Sequence, residues 1–180
     1  MVYMFLGTGF EETEAIAPLD LLRRAGIEVR TVGLNGPIIS GGHGIAVVTD
    51  IIVEQLDISD AEMVILPGGL GGVASIRGCK PAMDAIRTVW EAGKFTAAIC
   101  AGPTVLADLG ITESKQATCY PGCEEQMGSA NMHGDVPCIR DGKLITGASA
   151  GCAIPFALML IEALKGPDAA KAIQKQIVIR

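Results

Sequence analysis

Residues 95–106 read FTAAICAGPTVL. Cys100 ends an apolar run and stands directly before Ala101-Gly102-Pro103, where a buried strand would hand over to a helix. A thiolate is the nucleophilic form of cysteine, and a reference pKa of about 8.5 leaves only a few per cent of it ionised at neutral pH. Backbone N–H groups at a helix start stabilise the anion, so this placement predicts a Cys100 thiol ionised at neutral pH. Pro103 suits the first helical turn, and Gly102 permits a tight strand-to-helix turn that exposes the sulfur, a nucleophile elbow. A buried cysteine with only a packing role is the competing reading.

Two further stretches carry groups that such a thiol would use. Gly68-Gly69 follows the apolar run Met63–Leu66, where bare backbone lets N–H groups approach a developing oxyanion. Glu11, Glu12 and Glu14 place three acids within four positions, after the first apolar run. By default they are solvated charges favouring a helix start. A sharper reading turns one of them inward, protonated, to trade a proton with the sulfur. Spacing does not choose among the three.

These groups need elements to hold them. Val2–Leu6, Glu28–Val32, Met63–Leu66 and Phe95–Ile99 read as strands, and Glu11–Ala25 and Ala82–Glu91 as helices closed by Gly26 and Gly93. After Cys100 a helix runs to about Leu109. Residues 34–50 read as a hairpin excursion. Thr118–Cys119, Val136–Arg140 and Lys143–Thr146 supply later strands, the last two joined by an Asp141-Gly142 turn. Helices near Ala153–Leu164 and Pro167–Lys175 follow. Strand–helix alternation with fully apolar strands predicts a three-layer α/β/α sandwich on a mostly parallel sheet, one domain over residues 1–180. Its functional crevice lies beyond the carboxyl ends of the strands, where Cys100, Gly68-Gly69 and the acidic turn all fall.

Composition limits the function classes. The chain is 49% hydrophobic and 19% charged with a net charge of −6, so it is globular and has no basic stripe for nucleic acid. No apolar run reaches membrane-spanning length. The lack of an export signal predicts a cytoplasmic protein, in which the six cysteines are free thiols. A zinc site is not expected, because Cys119 and Cys123 have no second ligand pair beside His43 and His133. His43 and His133 read as surface residues, Cys119 as a packing residue or a resolving thiol, and Arg23-Arg24 as solvated.

GFEETEAIAPLDLLRRAGIEV, VILPGGLGG and AAICAGPTVLADLGI, in this order and spacing, resemble the ThiJ/PfpI superfamily. The resemblance is strongest to its branch containing the Parkinson-disease-associated redox protein. It spans about Val2 to Leu164 and implies a flavodoxin-like fold and a homodimer. Cys100 matches the family's oxidation-prone nucleophile and Glu14 its protonated acid partner. Gly69 and Ala101 match the residues lining an oxyanion pocket, with Gly68 accessory. Two departures follow from the same match. Tyr120 stands where many relatives carry histidine, which leaves proton transfer to Glu14. Ala148 and His43 stand where arginines are usual, which weakens an anion pocket.

The implied activity is a glyoxalase or deglycase acting on small 2-oxoaldehydes such as methylglyoxal or their adducts, with no metal or organic cofactor. A redox sensor in which Cys100 is oxidised to a sulfinate is the alternative. A peptidase or amidase is a third reading, disfavoured by the missing histidine.

Overall fold

The computed structural model describes residues 1–179. Its strands are β1 (Val2–Leu6), β2 (Val29–Gly33), β3 (Ile38–Ser40), β4 (Ala46–Val48), β5 (Ile51–Ile52), β6 (Met63–Leu66), β7 (Phe95–Ile99), β8 (Gln116–Ala117), β9 (Asn131–Met132), β10 (Cys138–Asp141) and β11 (Leu144–Gly147). The α-helices are α1 (Glu12–Arg24), α2 (Leu70–Gly78), α3 (Lys80–Glu91), α4 (Pro103–Asp108), α5 (Ala153–Lys165) and α6 (Pro167–Gln176).

A seven-stranded sheet runs in the order β10-β11-β7-β6-β1-β2-β5. All its pairings are parallel except β10 with β11. Alternation along the strands explains why both faces are covered. In β1, Val2, Met4 and Leu6 enter one core, shared with α1, α5 and α6. Tyr3 and Phe5 enter the other, shared with α2, α3 and α4. Strands β6 and β7 divide in the same way, so uninterrupted apolar runs are required. The α/β sandwich expected from the sequence is the observed architecture.

Chain order reverses between β1 and its neighbours β2 and β6, making the sheet's switch point. The turns after β1, β6 and β7 therefore meet at one crevice.

Three local readings change. Leu70–Gly78, LGGVASIRG, is a helix that its glycine content hides from propensity reasoning. Those glycines serve close packing: a Cβ on Gly72 would come 2.7 Å from Phe10 Cα, and one on Gly71 2.9 Å from Thr8 O. The strand expected at Thr118–Cys119 lies two residues earlier, as β8, pairing in parallel with β9. A short strand, β5, closes the far edge of the sheet against β2.

Candidate active site

Cys100 has φ +64, a left-handed backbone conformation that a non-glycine residue adopts at a cost of about 1–3 kcal/mol. Its surroundings hold it there. Its N–H donates to Gly147 O on β11 at 2.9 Å, and its carbonyl accepts from Tyr120 N at 2.8 Å. The strand-to-helix elbow thus presents the sulfur at the crevice.

Glu14, in the first turn of α1, is 1% exposed. Its Oε2 accepts the Gly68 N–H at 2.8 Å, whereas Oε1 is buried with no hydrogen-bond partner. Gly68 allows this approach, since a Cβ there would lie 2.6 Å from Glu14 Oε2 and 2.7 Å from Cys100 Cβ. Gly69, at φ +83, then turns the chain into α2.

Burial pushes the Glu14 carboxyl up to about 7; the Cys100 thiol and Gly68 N–H act against burial, and the Glu11 charge acts with it. The Cys100 thiol is pushed up to about 12, first by burial and then by the charge and hydrogen bonding of Glu14. The N–H groups of Ala101 and Gly69 favour the sulfur anion, with smaller effect.

Burial and Glu14 thus act against the thiolate that the sequence predicts at neutral pH. Helix α4 begins only at Pro103, with Gly102 as its N-cap, and has six residues, so Cys100 precedes a short dipole rather than occupying its first turn. Burial beside a carboxyl outweighs the Ala101 and Gly69 N–H groups that favour the anion. Because the two groups interact, their protons leave in steps that belong to the pair.

A cavity of about 510 Å³ opens at this point. Glu14, Gly69, Cys100, Ala101 and Tyr120, all singled out in the sequence, line it. Gly68 lies behind, holding Glu14. Glu11, another of the three acids the spacing left open, also lines the cavity; sequence reasoning missed the rest of the wall, Leu70, Cys123 and the segment Ser149–Gly151. No spacing signal marks Ser149–Gly151, which only the β11–α5 connection carries into the crevice. Cys119, the thiol considered as a resolving partner, is buried away from the cavity with its Sγ 3.5 Å from Tyr120 O.

Glu12 is also turned inward, at 6% exposure. Its Oε1 accepts the backbone N–H groups of His43 at 2.7 Å and Ile45 at 3.3 Å, and its Oε2 contacts His43 Nδ1 at 2.9 Å. Burial alone would raise its pKa, but those hydrogen bonds outweigh it and hold the carboxyl at about 2. His43 is pushed up by the same contact and by the Glu11 and Glu12 charges. It thus fastens the β3–β4 hairpin to α1 instead of lining the cavity. Glu11, Glu12 and His43 bring possible metal-ligand atoms within 4.8 Å of one another, atoms that are already engaged with each other. His133 contacts Gln116, away from the crevice. Arg23 pairs with Asp50 and Arg24 with Asp20. Ala148 donates its N–H to Pro137 O at 3.0 Å and does not line the cavity.

The DJ-1/PfpI family profile matches residues 1–163. Protein dj-1beta of Drosophila melanogaster is 35% identical over 98% of this chain and 95% of that protein. Glutathione-independent glyoxalase DJR-1.2 of Caenorhabditis elegans is 30% identical over 94% of this chain and 90% of its own length. The crystal structure of Drosophila DJ-1beta superposes with a TM-score of 0.95 at 34% identity, covering 99% of this chain and 97% of that one. Oxidised Toxoplasma gondii DJ-1 superposes at 0.93 with 31% identity, covering 98% and 97%.

Proposed function

This chain belongs to the DJ-1/PfpI family, and on that premise we propose that it is a cysteine-dependent, glutathione-independent glyoxalase acting on small 2-oxoaldehydes or their adducts. The observation that carries the reading is the buried Glu14 carboxyl set against Cys100, with Oε1 unpartnered, at the edge of a substrate-sized cavity that both residues line. A carboxyl that titrates near neutral pH is suited to take and return protons.

The chemistry follows from those groups. Above about pH 7 the pair carries one negative charge, and Glu14 accepts the thiol proton as Cys100 sulfur bonds to the aldehyde carbon of methylglyoxal. The aldehyde oxygen, returned its proton, becomes the hydroxyl of a hemithioacetal. Glu14 then removes the proton from that carbon while the ketone oxygen takes up a proton, giving an enediol; the hydroxyl on the first carbon next gives up its proton as Glu14 returns one to the adjacent carbon. The former aldehyde carbon is thereby oxidised to a thioester and the ketone reduced to an alcohol. Water cleaves the thioester, releasing lactate and regenerating the thiol. The Gly69 and Ala101 N–H groups, which face the sulfur, stabilise the oxygen anions formed on the way.

Methylglyoxal consumption without glutathione, with matching lactate formation, tests this reading. Loss in both Cys100→Ser and Glu14→Gln is expected; unchanged turnover in either variant overturns it.

The redox-sensor reading is favoured by one observation, the Ala101 and Gly69 N–H groups facing the Cys100 sulfur, which are suited to hold the oxygens of a sulfinate. Two equivalents of a hydroperoxide would convert the Cys100 thiol to a sulfinic acid, each being reduced to the corresponding alcohol or water. Mass spectrometry showing selective gain of two oxygens at Cys100, in a protein without aldehyde turnover, would select it.

We also propose a homodimer in the cytoplasm. Ile38, Ile45 and Val48 of the β3–β4 hairpin are 62%, 57% and 74% exposed, an apolar surface suited to covering by a second copy.

A further inference from the structure

The cavity has a one-sided charge. Two carboxyl side chains, Glu11 and Glu14, line it, and among the described residues no lysine or arginine does. The nearby cations are engaged elsewhere. His43 Nδ1 sits 3.4 Å from Glu11 Oε2 and 2.9 Å from Glu12 Oε2, so even a protonated imidazole leaves that corner net negative. Arg77 acts on Cys123 from behind the wall, but its Nε donates to Asp108 Oδ2 at 2.6 Å and its Nη2 to Thr104. Glu124 adds another negative charge beside Cys123.

The two lining acids differ in what they can do. Glu14 is buried and committed to Gly68 and Cys100. Glu11 is partly exposed: its N–H donates to Gly68 O at 3.0 Å, fixing its backbone at the site, and its side chain lies in the cavity wall. The remaining wall, Leu70, Ala101, Tyr120 and Ala150 among it, is uncharged and mostly apolar. In such a low-dielectric recess one fixed carboxylate discriminates ligand charge by an order of magnitude or more.

We propose that Glu11 is a specificity-determining residue that makes the pocket select carbonyl compounds carrying a positive charge over carboxylate-bearing ones. This inference rests on Cys100 being the reactive group of the pocket. It does not need the enzyme to turn over.

The test uses thiol reagents of equal reach and different charge on the full-length protein: 2-aminoethyl, 2-sulfonatoethyl and methyl methanethiosulfonate. In each case the Cys100 sulfur displaces methanesulfinate and forms a mixed disulfide, read at the Cys100 peptide by mass spectrometry. Rates are normalised to the neutral reagent and to the unfolded chain. The cationic reagent is expected to outpace the anionic one by at least ten-fold, with the ratio falling several-fold in Glu11→Gln. In the wild-type protein the ratio should also fall as salt is raised from 20 to about 500 mM, a check that needs no variant.

Equal rates, an anionic preference, a ratio unmoved by Glu11→Gln, or a folded protein in which Cys100 resists both charged reagents would each overturn the proposal. A missing glyoxalase activity would leave these rates untouched, so the two readings fail separately.

Discussion

Glu14 faces Cys100 with one carboxylate oxygen held by the Gly68 N–H at 2.8 Å and the other buried without a hydrogen-bond partner. That asymmetry fixes the carboxyl in place while leaving one oxygen free for the proton that the reaction moves. Glu14 is raised to about 7 and Cys100 to about 12, so over a wide pH range the pair holds a single proton.

The first consequence concerns pH. Glu14 must be ionised to accept the thiol proton, so kcat/KM for methylglyoxal should rise with pH and level off above an apparent pKa near 7. Glu14→Gln should lower the plateau about 10²–10⁴-fold and remove this limb. A pH–rate profile with its limb unmoved in the variant would separate Glu14 from the proton transfer.

The same shift predicts a stability effect. The carboxyl's folded pKa exceeds its ordinary value of 4.5, so the stabilisation is complete below pH 4.5 and is lost as pH rises through about 7. Between pH 4 and pH 8 the wild type should therefore lose about 3 kcal/mol relative to Glu14→Gln. Urea unfolding of both proteins at the two pH values checks it.

Glu12 has the opposite sign. Held at about 2 by the hydrogen bonds it accepts, it stabilises the fold above pH 4.5 and loses that effect as pH falls toward 2. Glu12→Ala leaves the His43 and Ile45 N–H groups without their acceptor and should cost about 2–4 kcal/mol at neutral pH. Hydrogen exchange should quicken first at His43 and Ile45.

Gly68→Ala inserts a methyl group between the two reacting side chains, at 2.6 Å from one and 2.7 Å from the other. Overpacking of this type costs about 1–3 kcal/mol. Cys100 labelling and aldehyde turnover should fall together, with the rest of the fold intact by circular dichroism.

For the dimer, Val48→Glu places a charge in the exposed apolar hairpin surface. Sedimentation velocity should show a wild-type dimer and a monomeric variant. A variant that remains dimeric would place the interface elsewhere.

Hydropathy along the chain is enough to dictate the sandwich, because apolar runs separated by amphipathic ones can be buried only on both faces of a parallel sheet. It also determined that Cys100, Gly68-Gly69 and the acidic turn share one crevice, since all follow strand carboxyl ends. Helix α2 escaped it because Gly71 and Gly72 read as turn residues, whereas their small size is demanded by contact with the Thr8–Phe10 loop. The resemblance pointed to Glu14 among three adjacent acids; the structure separates all three. Glu14 meets the sulfur, Glu12 fastens the hairpin, and Glu11 lines the cavity. The groups that oppose a thiolate become visible only in three dimensions. A helix start visible in the sequence favours a thiolate, but burial and the Glu14 carboxyl, 86 positions away in the chain, act against it through space.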